Sequence, residues 1–530
     1  MKKTFRLFLL VLLGMVSFTK AQAHGDPTWS EEIAAIFYKQ CTSCHHPGGL
    51  APFSLMNYTD AYARRFAIQY QTEAKTMPPW PPDPSYSRLA HERLLTDDEI
   101  KHIRDWVNTN AKEGDPSLAP TPPSYSGGAE IINPELTVEM PLYTVNTSTD
   151  LYRVFPVPTN LAESDWYITG FEVIPGDPSI VHHVLVFQDS TNTAITLDAA
   201  DPGPGYTSFG GVKSNTAKLI GAWVPGSRPY YLPNGMGIKY FRNANILIQV
   251  HYPKGVSNKT DRTKILMRMK RGNMRNVNID PILAHVAPIL TNGPLFIPKN
   301  TIKTFKEQFP INNQPLGIDV SVLAVSPHMH LLGKSFKVYG IKSNGDSIPM
   351  IKINNWNFHW QGSYNFRKVL KVPLGSKLYG EATYDNTINN PYNPSNPPRD
   401  VSLGEATTDE MMLCYFSYTL YQPGDENIII DTNAVLGTEG VSLKKIEAQV
   451  SPNPTFGKST LRFNLEKSSH ATIQIFDGLG KLLKQEASQI FFDRGENKYD
   501  LDFSSYPKGV YYLKIEGNGW YYTQPIIKSE

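Results

Sequence analysis

Ile180-Val-His-His-Val-Leu-Val-Phe187 sets the texture of the middle of this 530-residue chain. Residues 181–187 form a short β-rich run, and similar runs recur at 245–252 and 320–325, with Pro, Asn and Gly between them. Short strands punctuated by turn residues read as antiparallel β-sandwiches. The β texture runs from about 131 to 435, more than one sandwich accommodates. Two are therefore expected, over 131–280 and 281–435.

The same stretch carries chemistry. A regular strand sends neighbouring side chains to opposite faces, so His182 and His183 can share one metal only through a bulge or bend. His251 ends Gln249-Val250-His251-Tyr252, and Pro327-His-Met-His-Leu-Leu-Gly333 places His328 and His330 two residues apart, on one side of a strand. A lone strand histidine is ordinarily a packed residue. Two close pairs and a third strand histidine in one region point instead to metal. Imidazole suits copper, zinc and iron alike, so the residues themselves leave the metal open, in one site or two.

Outward to the N-terminus the texture becomes helical over 24–115. Residues 31–40 have apolar positions at helical spacing, and Thr96-Asp97-Asp98-Glu99 is a capping-box start for a helix over 100–108. Cys41-Thr42-Ser43-Cys44-His45 is C-x-x-C-H, the attachment signature of c-type haem, with two thiols for the vinyl groups and an imidazole for the iron. Met77, in Thr76-Met77-Pro78-Pro79-Trp80, is the expected sixth ligand, with Met56 as competitor. A bis-His haem using His46 or His91 stays open. A linker rich in Pro, Ser and Gly occupies 116–130.

Lys2, Lys3 and Arg6 precede an apolar stretch over 7–18, and Ala21-Gln22-Ala23 follows it, which reads as a signal peptide over 1–23. No later segment is apolar for long enough to be a transmembrane helix. Only Cys41, Cys44 and Cys414 occur, so no disulfide framework is expected. With 40% hydrophobic and 19% charged residues and a net charge of +2, the chain is ordinary globular material without the basic surface that nucleic acid requires.

The His-His-Val-Leu-Val-Phe, Gln-Val-His-Tyr and His-Met-His-Leu-Leu-Gly segments, with Thr408-Asp409-Glu410-Met411 and the aromatic run over 415–421, resemble the copper type II, ascorbate-dependent monooxygenases. That family includes peptidylglycine α-hydroxylating and dopamine β-monooxygenases. The resemblance covers about 131–435. It implies two jelly-roll-like sandwiches with one copper each, facing across a solvent-filled cleft. His182, His183 and His251 would hold an electron-transfer copper. His328, His330 and Met411 would hold a catalytic copper, with Tyr415 beside it, where O2 hydroxylates a C–H bond of a small organic substrate.

Departures limit the substrate. The peptide enzyme's Arg two residues before His-x-His is Ser326 here, and its Asn two residues after the ligand Met is Leu413. Peptide carboxylates would therefore lack partners. Ala382 and Met412 stand where the animal enzymes have paired Cys. His285, His359 and His470 read as structural or surface residues, and Trp356, Trp360 and Gln361 as core or pocket lining.

Residues 445–530, with Ser451-Pro452-Asn453-Pro454 and Lys508-Gly-Val-Tyr-Tyr512, resemble the type A sorting domain of type IX secretion. The whole implies an exported copper monooxygenase with a c haem that relays electrons from ascorbate or a redox protein. Its rivals are a haem–copper electron carrier without oxygenase activity, and a copper brace on an N-terminal His24.

Overall fold

The computed structural model describes residues 25–49, 51–125, 129–163, 165–430, 444–466, 468–477, 482–517 and 520–529. The expected signal peptide and His24 lie outside them. Two compact units divide the chain, Met1–Ile430 and Asp431–Glu530.

Helices occupy the start of the first unit: a π-helical turn at Trp29–Ile33 continuing into Ala34–Gln40, then Tyr58–Ala63, Arg65–Glu73 and Asp97–Asn108. Thr96 caps the last of these, its hydroxyl accepting from Glu99 N–H while the Glu99 carboxylate takes Thr96 N–H, as the sequence suggests. Their apolar faces meet in a core of Trp29, Ile33, Phe37, Leu55, Ile68, Ile103 and Trp106.

Residues 80–93 leave that core and join the β region. Pro82 pairs with Ile353 and Leu89 with Phe366, and Leu89, 1% exposed, belongs to the core of the second sandwich. Arg367 binds Glu92 at 3.0 Å, and Trp80 meets Tyr364 edge-on at 5.6 Å. The helical segment over 24–115 is thus not self-contained, and the 116–130 linker is partly anchored by Glu172, which accepts from the N–H groups of Glu130 and Ile131.

Two pairs of sheets follow. The first pair has Tyr206–Thr207, Leu151–Pro158, Asn245–Tyr252, His183–Asp189 and Lys218–Trp223, in that spatial order, facing a sheet built on Leu136–Glu139, Lys264–Arg271, Trp166–Ile174 and Met236–Lys239. The second pairs Asn278–Ala284, Leu413–Leu420, Val320–His328 and Tyr364–Val372 with Ile302–Phe309, Lys377–Asp385, Gly333–Ile341 and Ser347–Ile353. Alternation explains the packing: Val184, Val186, Ile246, Ile248 and Val250 point into the first core. The strand Asn278–Ala284 pairs with Leu413–Leu420, so the second sheet pair begins a few residues before the expected boundary at 281.

The second unit is a five-stranded and a three-stranded sheet around Leu461, Phe463, Ile473, Ile475, Leu513 and Ile526. Among the described residues, no helix is long and apolar enough to cross a membrane.

Candidate metal centre

Strand register assembles the first histidine group. His251 lies opposite Tyr152 on one side and His183 on the other. All three side chains fall on the face turned away from the core, because their neighbours Val184 and Val250 face inward. His182 needs the bend anticipated above: the strand begins only at His183, and the His182 N–H donates to His251 O at 2.9 Å. One ring nitrogen from each of His182, His183 and His251 lies within 4.8 Å of the others. His182 Nδ1 and His183 Nδ1 are 3.2 Å apart, near the ~3.3 Å expected of two nitrogens each ~2.0 Å from one tetrahedral ion.

The protons are arranged to suit. Asp150 Oδ1 lies 3.3 Å from His251 Nε2, and that bond, with help from Thr407, lowers the Asp150 pKa to about 2. An ionised carboxylate only accepts, so the His251 proton sits on Nε2 and the lone pair on Nδ1, which is buried without a partner. Burial pushes His182 down to about 3 and His183 well below the ordinary value. Both rings are neutral and available as ligands.

The second group is built by a carboxylate. His328 closes its strand and His330 sits in the turn beyond, with ring centroids 5.1 Å apart. Glu410, fully buried, accepts from His330 N–H (2.9 Å), Leu332 N–H (2.6 Å) and Met411 N–H (3.2 Å). One side chain thus ties the His-x-His turn to the Met411 segment. Burial raises the Glu410 pKa to about 8, against the pull of those three donors. His328 Nδ1–H donates to Gln361 Oε1 (2.5 Å) and His330 Nδ1–H to Asp409 O (3.1 Å), so both rings keep their Nε2 lone pairs free. Burial lowers His328 to about 3 and His330 to about 4. Met411 is 8% exposed, and its neighbour Met412 is fully buried in the apolar core.

Pairing of Ser326 with Tyr415 and of His328 with Leu413 puts these four residues on one sheet face, opposite the core residue Cys414. The two departures from the peptide enzyme and Tyr415 therefore surround His328. Burial raises the Tyr415 pKa to about 12, so its hydroxyl stays protonated.

An aromatic ring links the two groups. Phe358, 9% exposed, stacks on His182 at 5.0 Å and meets His330 edge-on at 5.9 Å. Next to it His359, exposed, lies 5.8 Å from His182.

The CxxCH turn holds two free thiols, Cys41 and Cys44. His45 Nδ1–H donates to Phe53 O at 3.1 Å, leaving its Nε2 lone pair for a metal. Tyr125 covers the turn, stacking on His46 at 4.3 Å and bonding the Thr42 hydroxyl at 2.8 Å. Met77 is 37% exposed on the loop after Arg65–Glu73, and Met56 is half-buried. A Cβ on Gly226 would come within 3.9 Å of Cys44 Sγ, so this turn abuts the first sandwich.

Sequence reading missed Asp150, Thr407 and Phe358 altogether, and assigned Glu410 no role although it lies inside a quoted motif. None of them carries a spacing signal. His285, expected to be a structural or surface residue, accepts at Nδ1 from Met412 N–H at 3.2 Å.

Residues 289–430 match the family model of the copper type II ascorbate-dependent monooxygenase C-terminal domain, and residues 449–529 match the secretion system C-terminal sorting domain. Among solved structures, PNGF-II matches at 10% identity and TM-score 0.26, over 54% of this chain and 65% of that one, less than two thirds of its length. The infectious bursal disease virus VP2 subviral particle matches at 10% identity and TM-score 0.16, over 56% and 76%. Apo Bacteroides uniformis β-glucuronidase 3 matches at 11% and 0.12, over 43% and 27%. Likenesses this distant bear on neither fold nor function. Residues 289–430, which include His328, His330 and Glu410, are thus similar to a copper type II ascorbate-dependent monooxygenase C-terminal domain, and the match at 449–529 to a secretion sorting domain indicates secretion or cell-surface attachment.

Proposed function

We propose that this chain is an exported copper monooxygenase in which each histidine group holds one copper and the CxxCH turn carries a c-type haem that relays electrons. One observation carries the reading. Asp150, Gln361 and the Asp409 carbonyl each engage one nitrogen of His251, His328 and His330, leaving the other lone pair free, as bound metal requires.

His182, His183 and His251 are the proposed electron-transfer ligands; His328, His330 and Met411 are the proposed catalytic ligands. Copper held there would supply the one-electron chemistry that inserts one atom of O2 into a C–H bond, and a thioether ligand favours its cuprous state. The chain's residues supply the setting. Tyr415, protonated, can donate a hydrogen bond to substrate beside His328. Ser326 and Leu413 bring no charge to that face, which favours a small neutral substrate over a peptide carboxylate. Phe358 packs against one histidine of each group, His182 and His330.

For the haem, Cys41 and Cys44 would form the thioethers, His45 would ligate through Nε2, and Met77 would complete the iron. The contact of Cys44 with the Gly226 loop favours electron delivery to the three-histidine group, because that loop follows Lys218–Trp223, whose Trp223 pairs with Val184 beside His183. Ascorbate or a redox protein would be the external donor.

Metal analysis of holoprotein should return two coppers and one haem. His330→Ala should lose one copper, keep the haem, and form no O2-dependent product. Structural metal sites gain ~10–16 kcal/mol from about four ligands, so one ligand is worth about 3 kcal/mol, or roughly a hundredfold in affinity. Two coppers retained by His330→Ala would refute the assignment. In stopped-flow mixing of reduced protein with O2, haem oxidation should track copper oxidation; a haem that stays reduced through turnover would remove the relay.

A further inference from the structure

Asp150 touches both halves of the centre. It precedes the strand Leu151–Pro158 in the first sandwich, where its Oδ1 holds His251 Nε2. Its other oxygen, Oδ2, accepts a 2.5 Å hydrogen bond from the Thr407 hydroxyl of the second sandwich. Thr407, 8% exposed, sits in a compact turn closed by Asp409 N–H to Ala406 O and Gly404 N–H to Glu410 O. The same turn orients His330 through Asp409 O and leads directly into Glu410 and Met411. Its neighbour Glu405 packs against Gly210 of the first sandwich so closely that a Cβ there would collide with the carboxylate.

A continuous chain therefore runs from His251 through Asp150 and Thr407 to the turn that aims His330. We infer that Asp150 and Thr407 are shared positioning residues that make the two histidine groups one metal-binding unit, so that a change at Thr407, which touches no proposed ligand, weakens metal binding at His328, His330 and Met411. The inference rests on the copper reading above. Its physical basis is that a ligand loop free to move must be ordered when metal binds, whereas the bond to Asp150 orders it beforehand. Outer partners of this kind are worth ~10–100-fold in affinity.

The test separates the two groups. Cu(I) affinity is measured by chelator competition on the full chain carrying His182→Ala, which keeps the His328, His330 and Met411 group, and on the chain carrying His330→Ala, which keeps the three-histidine group. Adding Thr407→Val should weaken Cu(I) binding about tenfold in the first protein and less than about twofold in the second. Thr407→Ser, which keeps the hydroxyl, should restore it, a rescue that a general loss of packing would not show. Asp150→Ala should weaken both. If Thr407→Val leaves both affinities unchanged, the shared role is wrong and the copper reading stands. If neither background binds Cu(I) at all, the copper reading fails and the inference with it.

Discussion

Glu410→Ala is expected to loosen the second sandwich before any metal is added. The substitution strands three buried N–H donors, those of His330, Leu332 and Met411. A buried donor left unmade costs ~1–3 kcal/mol, so the sum is roughly 3–9 kcal/mol, comparable with the whole stability of a domain. The chain has several domains and need not unfold in one step, so the sharper readout is amide hydrogen exchange at those three residues. Protection there should collapse in Glu410→Ala, while amides in the Asn245–Tyr252 strand keep theirs. Glu410→Gln, which retains one acceptor oxygen, should lie between. If exchange at His330, Leu332 and Met411 is unchanged in the alanine variant, the carboxylate is not what holds the two segments together.

Acid should unfold the metal-free protein unusually early. Burial depresses His182 and His328 to about 3 and His330 to about 4, against about 6.5 for an exposed imidazole. The unfolded chain then binds protons at higher pH than the folded chain, so stability rises with pH across that window. The contribution is fully present above about pH 6.5 and is lost progressively toward pH 3–4. At 1.36 kcal/mol per unit, the part of these shifts expressed by pH 5 is on the order of several kcal/mol. Melting temperatures of metal-free protein should fall steadily from pH 7 to pH 5. Added copper should flatten the curve until protons displace it. A metal-free melting temperature that is level between pH 7 and pH 5 would mean that these rings are not buried as described.

Alternation of apolar residues and turn signals was enough to read the β character of residues 131–430, because a half-buried strand leaves its period of two in the sequence. The same rule foretold that His182 and His183 could converge only at a bend, and the strand indeed starts between them. The boundary between the sheet pairs was less legible: 278–284 reads as β either way, and only pairing with Leu413–Leu420 assigns it. The helical residues 25–115 were recognisable from the Thr96 cap and helical spacing, but nothing local revealed that Leu89 is buried in a sandwich core more than two hundred residues away in sequence.

By itself the amino-acid sequence offered the candidate metal donors: five histidines and a methionine in the β region, and two thiols with an imidazole in one turn. Residue type sets donor chemistry, and short spacings survive in any fold. Only the tertiary structure decided how those donors are held. Asp150, Gln361, Thr407 and Glu410 act across separations of tens to hundreds of residues, and Phe358 contacts one histidine of each group. Contacts of that range depend on strand register and loop closure, which leave no periodicity along the chain.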